Sequence, residues 1–250
     1  MSYRELIPRP LKRLVRPLLD RIPLRVEVAP ARPEWPGERR RFDYQRRHVR
    51  FDIRPGERVL DIGSGNDPFP HATFLADRFM GPTEHRYGEV ARDGRPLVCA
   101  DIHRLPFADK SFDFVYCSHI LEHADDPARA CAELMRVGRR GYVETPTMCE
   151  DLLFAWAAGR HRWHVVGINS TLCFFEYTER QLEGIGSTAW EEVVMGRRYH
   201  PLQRAYFENR DLFDVMFPWA ESFAVYVFRL DGSVESLNAR AENPDARPPA

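Results

Sequence analysis

The sequence predicts an α/β fold: a doubly wound, mostly parallel sheet with helices on both faces and an antiparallel strand late in the chain. Two observations predict the sheet. Short apolar segments recur between residues 58 and 146, and a helix with clear end signals precedes the last of them. A third observation predicts the late strand, because SFAVYVFRL at residues 222–230 follows an alternating pattern.

Five strands are expected in the regular part of the chain. Each is a short run of apolar, β-branched or aromatic residues next to a turn or loop signal. In order they are RVLDI (58–62), ATFLADRF (72–79), PLVCADI (96–102), the beginning of FDFVYCSHIL (112–121) and GYVETP (141–146). Because connecting segments separate these strands, parallel pairing is favoured.

One helix is expected between the fourth and fifth strands. Asp125 or Asp126 suits the N-cap, Pro127 suits the first helical position, and Gly138 suits the end of the helix. The apolar positions predicted for its buried face are Ala128, Cys131, Leu134 and Met135.

Composition excludes several classes of protein. The chain has 250 residues and a formal net charge of −1, so a chain-wide surface for polyanions is not indicated. No run of about 18 apolar residues occurs, and the N-terminus lacks a long apolar stretch with a small-residue cleavage site. We therefore expect neither a transmembrane helix nor a secretory signal, and we expect a cytoplasmic location.

The cysteine pattern agrees with that expectation. There are 5 cysteines, an odd number at wide spacing, and no C-x-x-C motif occurs. We predict reduced and mostly buried thiols rather than a disulfide framework or a cysteine-based zinc site.

Four regions are expected along the chain. Residues 1–50 form a basic extension, 51–147 the regular core, 148–235 an aromatic-rich segment that covers the site and completes the sheet, and 236–250 a disordered tail. Within the extension, leucines at residues 11–19 alternate with Lys and Arg near a helical period. This pattern fits a helix packed across the domain, and it also fits a segment that contacts an anionic membrane surface.

The segment VLDIGSGN at residues 59–66 carries the strongest chemical signal. A buried strand runs into a turn that contains Gly63 and Gly65, and glycine is needed where a ligand lies against the main chain. Pro68 breaks the dinucleotide fingerprint G-x-G-x-x-G, so a pyrophosphate is poorly supported. Asp61 before the turn suits a positively charged ligand better.

Two further strand ends carry polar residues. Asp101 ends an apolar segment, and there it can accept a hydrogen bond from an exocyclic amine or cap the next turn. His119 and His123 are four residues apart, as metal-ligating pairs on a helix are. Their stretch is instead a strand end that enters a loop, and no clear carboxylate completes a triad. We therefore expect no metal.

Taken together, three segments resemble the class I S-adenosylmethionine-dependent methyltransferase family, in its small-molecule, methyltransferase type 11-like branch. They are VLDIGSGN, ADIHRLPFADKSFDFVYCSHILEHADDPARACAELMRV (100–137) and GYVETPT (141–147). The resemblance covers about residues 51–147, and several motifs occur in the family's order. It implies a Rossmann-like sheet, S-adenosylmethionine as the methyl donor and S-adenosylhomocysteine as the product.

The resemblance also implies roles for particular residues. Those that would hold the methionine part of the cofactor are Asp61, Gly63, Ser64 and Gly65. Asp101 and Ile102 would face the adenine, and Cys117 and Ser118 would line the wall near the sulfonium. The family's acidic residue for the ribose hydroxyls corresponds to Asp77, with Glu89 as the alternative.

The sequence departs from the family pattern in its first connection. The loop carries Asn66-Asp67-Pro68 where a third glycine is usual. Only 16 residues separate Asp61 from Asp77 (77 − 61), which leaves little room for a first helix. A further 24 residues separate Asp77 from Asp101 (101 − 77), so an irregular loop is expected to replace the next helix.

The reaction that the resemblance implies is displacement of the methyl group by a substrate oxygen or, second, nitrogen. We expect the acceptor to be a small molecule or a glycan precursor. If a hydroxyl reacts, a histidine base would assist, and the candidates are His119 first, then His123, His161 and His164. The aromatic residues of 148–200 would form either a lid over the site or a satellite core; they are Trp156, Trp163, Phe174, Phe175 and Tyr177.

Other functions compete with this one. An arginine cluster would suit an RNA or protein methyltransferase; it consists of Arg39, Arg40, Arg41, Arg46, Arg47 and Arg50. The overall charge and the lack of an RNA-binding motif argue against a nucleic-acid partner. A catalytically silent binding or scaffold protein is a second alternative, because the glycine loop is broken. Pro68 disfavours a nucleotide-linked oxidoreductase.

Overall fold

The computed structural model describes residues 40–83, 88–154, 160–184, 188–196 and 200–238. The predicted basic amphipathic segment, Arg39, Trp156 and residues 239–250 of the predicted tail lie outside these residues. The start predicted for the disordered tail, residue 236, is wrong, because residues 236 and 237 pair with the preceding strand of a sheet. Within the described residues, no helix combines the length and the apolar character needed to cross a membrane.

The elements follow one another in this order: α1 (Arg41–His48), β1 (Val59–Ile62), β2 (Phe74–Asp77), β3 (Leu97–Cys99), β4 (Phe114–Ser118), α2 (Pro127–Val137), β5 (Arg140–Pro146), α3 (Met148–Leu153), β6 (Trp163–Ile168), β7 (Thr171–Glu176), α4 (Glu179–Gly184), α5 (Thr188–Met195), α6 (Pro201–Glu208), β8 (Asp214–Ala220), β9 (Ala224–Phe228) and β10 (Val234–Leu237). Short 3-10 turns occur at Leu121–His123 and Arg210–Leu212.

The main sheet has six strands in the order β3-β2-β1-β4-β5-β8. The first five are parallel, and β8 pairs antiparallel with β5. Every residue of β1 and β4 is buried, as expected for central parallel strands covered on both faces. The predicted doubly wound α/β fold is therefore confirmed, and each of the five predicted strands is present.

Helix α2 forms as its end signals predict. The Asp126 side chain accepts a hydrogen bond from the Arg129 amide at 3.0 Å, Pro127 is the first residue, and Gly138 follows the last turn. Its buried residues include the four that the sequence predicted, Ala128, Cys131, Leu134 and Met135. They pack against the main sheet and β9.

The late strand lies in a different sheet from the one expected. Residues 224–228 form β9, which belongs to a second sheet ordered β10-β9-β7-β6. The antiparallel strand that completes the main sheet is β8, and its sequence DVMFPWA contains a proline that hid it from the strand pattern. Because β8 is an edge strand, a proline is tolerated there.

The second sheet also decides what the aromatic-rich segment does. Trp163 on β6 and Phe174 on β7 are fully buried and belong to the same core as β1, β4 and α2. These two rings therefore form core rather than a lid. Phe175 is 40% exposed and stacks on Phe228 of β9, on the outer face of the second sheet.

The opposite face of the main sheet is covered by α1 and by two aromatic residues outside it, Phe51 and Phe69. The connection between β1 and β2 contains no helix, since it is short and holds Pro68 and Pro70. Phe69 fills the space instead: it is fully buried and stacks on Tyr116 of β4 with ring centroids 4.1 Å apart. The next connection likewise has no helix among its described residues.

Helix α1 corrects the expected boundary of the N-terminal extension. Tyr44 and Gln45 of this helix are buried against the sheet, so residues from about 41 onward belong to the folded core. The sequence hid this helix because most of its exposed positions are arginines.

The expectation of mostly buried cysteines is right for some residues only. All five thiols are free. Cys117 and Cys131 are buried in β4 and α2, and Cys173 is intermediate. Cys99, which ends the edge strand β3, and Cys149, in the first turn of α3, are exposed.

Phe69→Ala is expected to lower the free energy of unfolding by about 3–5 kcal/mol, because the cavity faces a sheet with no covering helix there. Phe79→Ala is the matched control, since Phe79 is 50% exposed, and its effect should stay within roughly 0.5 kcal/mol. Denaturant unfolding measures both values. Equal losses in the two variants would contradict the role given to Phe69.

Candidate active site

A cavity of about 370 Å³ opens at the carboxyl ends of the parallel strands. Residues that follow β1, β2, β3 and β4 line it, and Arg41 of α1 closes one side. In parallel α/β sheets, ligands bind in this crevice. The lining residues that the sequence singled out are Gly63, Ser64, Gly65, Asp77, Asp101, Ile102, Ser118, His119 and His123.

The glycine loop brings the main chain to the wall of the cavity. Gly63 and Gly65 have φ values of +70° and +56°, a region that glycine enters without a steric penalty. A Cβ atom on Gly63 would lie 2.1 Å from Cδ1 of Ile120. The amides of Gly63 and Ser64 donate to the Ala76 carbonyl at 2.8 and 3.2 Å, which holds the loop against β2.

Asp61 supports the loop from below rather than lining the cavity. Its carboxylate is buried and accepts a hydrogen bond from the Phe69 amide at 2.7 Å. Burial raises the pKa of Asp61 to about 6. The structure therefore does not bring Asp61 to the ligand surface, because its side chain anchors the helix-free connection between β1 and β2.

Asp77 stands at the position predicted for a ribose-binding carboxylate. It is the last residue of β2 and lines the cavity. Its two oxygens accept hydrogen bonds from the amides of Gly65 at 3.0 Å and Phe79 at 2.8 Å. The alternative, Glu89, is exposed and is not among the residues that line the cavity.

Asp101 and Ile102 lie on the next side of the cavity, after β3. The carboxylate of Asp101 accepts from the amide of His103 at 2.9 Å and contacts its Nδ1 at 2.6 Å. Partial burial raises the pKa of Asp101, but the His103 hydrogen bonds and the Arg78 guanidinium outweigh it and lower the pKa below its usual value. Asp101 therefore stays an ionised acceptor.

Of the two residues predicted for the wall near the sulfonium, only one lines the cavity. Cys117 is buried in the core on the α2 side of β4, and Ser118 lines the cavity. The alternation of side chains along a strand explains the difference. Ser118 Oγ donates to Glu144 Oε1 at 3.2 Å.

His119 follows β4 in a left-handed conformation, with φ of +56°. Its side chain is 34% exposed and stands among three carboxylates that are almost fully buried. Nε2 lies 3.3 Å from Glu144 and 3.8 Å from Asp214, and Nδ1 lies 3.5 Å from Glu122. Both ring nitrogens therefore face acceptors.

This environment fixes the charge of His119. Burial lowers the pKa of His119, but the carboxylates of Glu122 and Glu144 beside its ring nitrogens outweigh it and raise the pKa well above its usual value of 6.5. An imidazolium has no lone pair, so the geometry favours His119 as a hydrogen-bond donor. The role of general base, expected from the sequence, is not what this arrangement favours.

Glu144, at the carboxyl end of β5, organises this part of the site. Its oxygens accept from Tyr44 at 3.0 Å, from Gln45 at 2.9 Å, from Ser118 and from Tyr142. Burial raises the pKa of Glu144, but the hydrogen bond and charge of His119 dominate and lower it to about 2. Glu144 is therefore ionised, and the hydrogen bonds that it accepts connect α1, β4 and β5.

A buried arginine lies next to this anion. Arg210 contacts Asp214 and lies 3.4 Å from Glu150 Oε1. Burial raises the pKa of both carboxyls despite the Arg210 charge, with Glu150 and Asp214 also acting on each other. This cluster ties the 3-10 turn before β8 to α3.

The other predicted histidines have different surroundings. His123 lines the cavity, and its Nδ1 lies 2.9 Å from the Arg160 carbonyl. His161 is buried next to His123, with Nδ1 at 2.9 Å from Asp151. His164, on β6, lines a second cavity of about 360 Å³ between β6 and β8 and not the first one.

Two of these histidines lie next to a carboxylate that the sequence did not indicate. The expectation of no metal depended on the lack of a carboxylate to complete a triad. Glu122, His123 and His161 offer ligand atoms that all lie within 4.8 Å of one another. His161 is distant in sequence, so no local motif could show this set.

Several lining residues were not predicted from the sequence. Arg41 reaches the cavity from α1, donates to the Asp67 carbonyl and lies over the rings of Phe42 and Tyr116. The sequence had placed it in a phosphate-binding cluster. His103, two residues after Asp101, had a local signal: aspartate often binds the amide two residues later.

Comparison with known proteins identifies the domain. Residues 81–143, about a quarter of the chain, match a family profile described as a methyltransferase domain. The chain carries a class I S-adenosylmethionine-dependent methyltransferase domain. The family implies S-adenosylmethionine as the methyl donor.

Relatives of the domain carry methyltransferase names. A demethylmenaquinone methyltransferase of Renibacterium salmoninarum is 36% identical over 92 residues, which cover 35% of this chain and 39% of that protein. A protein of the same name from Thermobifida fusca is 34% identical over 135 residues, covering 47% of this chain and 57% of that protein. The chain therefore matches less than two thirds of the length of each relative.

Among solved structures, this domain is similar to a methyltransferase of Thermotoga maritima described as a possible histamine N-methyltransferase. The two are 27% identical, with a TM-score of 0.30, and the match covers 38% of this chain and 45% of that one.

Glu144→Gln is expected to lower the free energy of unfolding by about 3 kcal/mol, because it leaves the buried His119 charge with a weaker partner. The lowered pKa means that this stabilisation is complete above the ordinary pKa of 4.5 and is lost as pH falls toward about 2. The difference between variant and parent should therefore shrink as pH falls below 4.5.

The matched control is Glu235→Gln. Glu235 is 48% exposed and pairs with Arg229 at 3.1 Å, so the change should cost less than about 1 kcal/mol. Denaturant unfolding at pH 7 and at pH 4 provides all values. A Glu144→Gln protein as stable as the control at pH 7 would refute the role of Glu144.

Proposed function

We propose that this protein transfers a methyl group from S-adenosylmethionine to a hydroxyl of a small molecule or a glycan precursor, with an amine as the second choice. The observation that carries the proposal is the cavity at the ends of β1–β4. A glycine loop forms one wall and the carboxylates of Asp77 and Asp101 stand on the others.

The residues present fit this cofactor. A volume of about 370 Å³ falls within the usual range for small-molecule pockets. Gly63 lines the cavity with φ of +70° and carries no side chain, so its backbone can approach a ligand closely. Ser64 Oγ is buried at the cavity without a hydrogen-bond partner among the described residues, and a bound polar group would satisfy it.

When bound, S-adenosylmethionine supplies an electrophilic methyl group on a positively charged sulfur. The loop from Gly63 to Gly65 would hold its amino-acid part, Asp77 the ribose hydroxyls and Asp101 the adenine amine. Asp77 is already fixed by two backbone amides, and Asp101 is fixed by His103. Such preorganised carboxylates can bind without rearrangement.

On the acceptor side, we assign His119 the task of holding the acceptor oxygen. Its ring lines the cavity, and its nitrogens lie 3.3 Å or more from the carboxylates that keep it charged, so an N–H group can also be shared with an acceptor oxygen. Alignment of the oxygen and exclusion of water would then supply most of the rate. His123 also lines the cavity and is the second candidate for contact with the acceptor.

A quinone-type ring is a second candidate acceptor. The observation that favours it is that two relatives over 30% identical are named demethylmenaquinone methyltransferases. An RNA acceptor gains less support, because Arg41 of the arginine cluster faces the cavity and Arg46 pairs with Asp43. A purely scaffolding role would not explain why the glycine loop, Asp77 and Asp101 line a cavity that suits the cofactor.

Gly63→Ala is expected to weaken binding of S-adenosylhomocysteine at least tenfold, because a Cβ atom would strain the backbone and displace Ile120. Gly56→Ala is the matched control: φ is +88° and nothing lies within 4 Å of the added atom. Isothermal titration calorimetry compares the two. Unchanged affinity in Gly63→Ala, or no heat from the parent protein, would argue against the cofactor site.

His119→Gln is expected to retain S-adenosylhomocysteine binding within about threefold and to lose methyl transfer by 100-fold or more, since donors at reacting centres contribute on that scale. Transfer of radiolabelled methyl is measured against sugar hydroxyls, phenols and a demethylated naphthoquinol. Transfer to the quinol alone would replace the hydroxyl proposal with the quinone one. Full transfer by His119→Gln would remove His119 from the mechanism.

A further inference from the structure

The turn after β4 and the segment before β6 bring three potential metal ligands together. Glu122 and His123 lie in the 3-10 turn Leu121–His123, and His161 precedes β6. Their ligand atoms all lie within 4.8 Å of one another, and Glu122 Oε1 is 3.7 Å from His123 Nε2. Ligands about 2.0–2.1 Å from one zinc ion stand roughly 3.4 Å apart in a tetrahedron, so small side-chain rotations would suffice.

Glu122 is the group that most needs a partner. Its side chain is 1% exposed, and neither of its oxygens has a hydrogen-bond partner among the described residues. Buried carboxylates are normally hydrogen-bonded, paired or bound to a metal. The nearest cationic atoms, on His119 and His123, are 3.5 and 3.7 Å away, so they act on Glu122 through charge at longer range than a typical hydrogen bond.

Both histidines are oriented as metal ligands usually are. His161 Nδ1 contacts Asp151 at 2.9 Å, and His123 Nδ1 contacts the Arg160 carbonyl at 2.9 Å. On the other side of its ring, His123 Nε2 lies 3.7 Å from Glu122 Oε1. A carboxylate or a carbonyl on the far nitrogen is the arrangement that fixes the tautomer of metal-bound histidine.

The backbone holds this set in place independently of the side chains. The Arg162 amide donates to the Glu122 carbonyl at 2.8 Å, and Trp163 Nε1 donates to the Ala124 carbonyl at 2.6 Å. Tyr177 donates to Asp151 at 2.7 Å, which in turn steadies the carboxylate behind His161. These three hydrogen bonds together fix the position of His161.

A neighbouring cluster lacks these properties. His119, Glu144 and Asp214 also place ligand atoms close together. The oxygens of Glu144 are already taken by four hydrogen-bond donors, and Arg210 is in contact with Asp214. A cation there would compete with bonds that the fold already makes.

We propose that Glu122, His123 and His161 bind one divalent transition-metal ion of the zinc type, at the wall of the cavity that His123 lines. Two imidazoles and one carboxylate suit such an ion and leave a position open for water or another oxygen. The proposal concerns metal binding only, so it stands or fails separately from methyl transfer.

The test uses the full chain with any affinity tag removed, loaded with zinc and dialysed. Mass spectrometry of the metal is expected to give about one zinc per chain. His123→Gln and His161→Gln should each reduce that content at least tenfold. His71→Gln is the matched control, because His71 is exposed and is not one of the residues that line the cavity; its metal content should stay unchanged.

Cobalt substitution provides a readout independent of metal retention. The visible absorption of a four- or five-coordinate Co²⁺ should appear in the parent and in His71→Gln and be absent in His123→Gln. Asp151→Asn should weaken zinc affinity about 10- to 100-fold in a competition titration with a chromophoric chelator, since it removes the partner of His161.

Two controls keep the outcomes distinct. Circular dichroism melting shows whether each variant is folded. His123 is 30% exposed, so His123→Gln is the ligand variant expected to disturb the core least. Calorimetry with S-adenosylhomocysteine after chelation reports the cofactor site alone. Less than 0.2 zinc per chain, or equal zinc in the parent and both ligand variants, would overturn the proposal whatever the calorimetry shows.

Discussion

The structure depends on one buried anion, the carboxylate of Glu144. An ionised carboxylate away from water is costly unless donors surround it. Here the donors come from different elements: Tyr44 and Gln45 from α1, Ser118 from β4, and His119 from the turn that follows. The same group therefore holds α1 on the sheet and fixes the ring that faces the cavity.

Carboxylates also stabilise the glycine loop. The connection from β1 to β2 is too short for a covering helix, so two carboxylates replace its stabilising contacts. Asp61 accepts from the Phe69 amide below the loop, and Asp77 accepts from the Gly65 amide at its edge. Phe69 then covers the sheet beside Tyr116. The loop can leave the family's glycine pattern because these bonds, and not a following helix, determine its path.

The second sheet connects this core to the histidines. Its inner rings extend the core over α2, and its first strand begins two residues after His161. Bonds from Arg162 and Trp163 to the turn at 122–124 bring that histidine against Glu122 and His123. Contacts that complete the core thus also assemble the proposed metal site beside the cofactor cavity.

The sequence by itself determined the features that neighbouring residues specify. Strand β1, the ends of α2 and the positive-φ turn at Gly63 follow from apolar runs, an N-cap with proline, and glycine. Asp77, Asp101, Ser118 and His119 could be placed at strand ends, because parallel strands end at one edge of a sheet. Only the tertiary structure decided that Asp61 points inward, that β8 and not β9 completes the main sheet, and that Arg41, Glu144 and His161 join the site. These outcomes depend on pairings between segments far apart in the chain, and local periodicity carries no information about them.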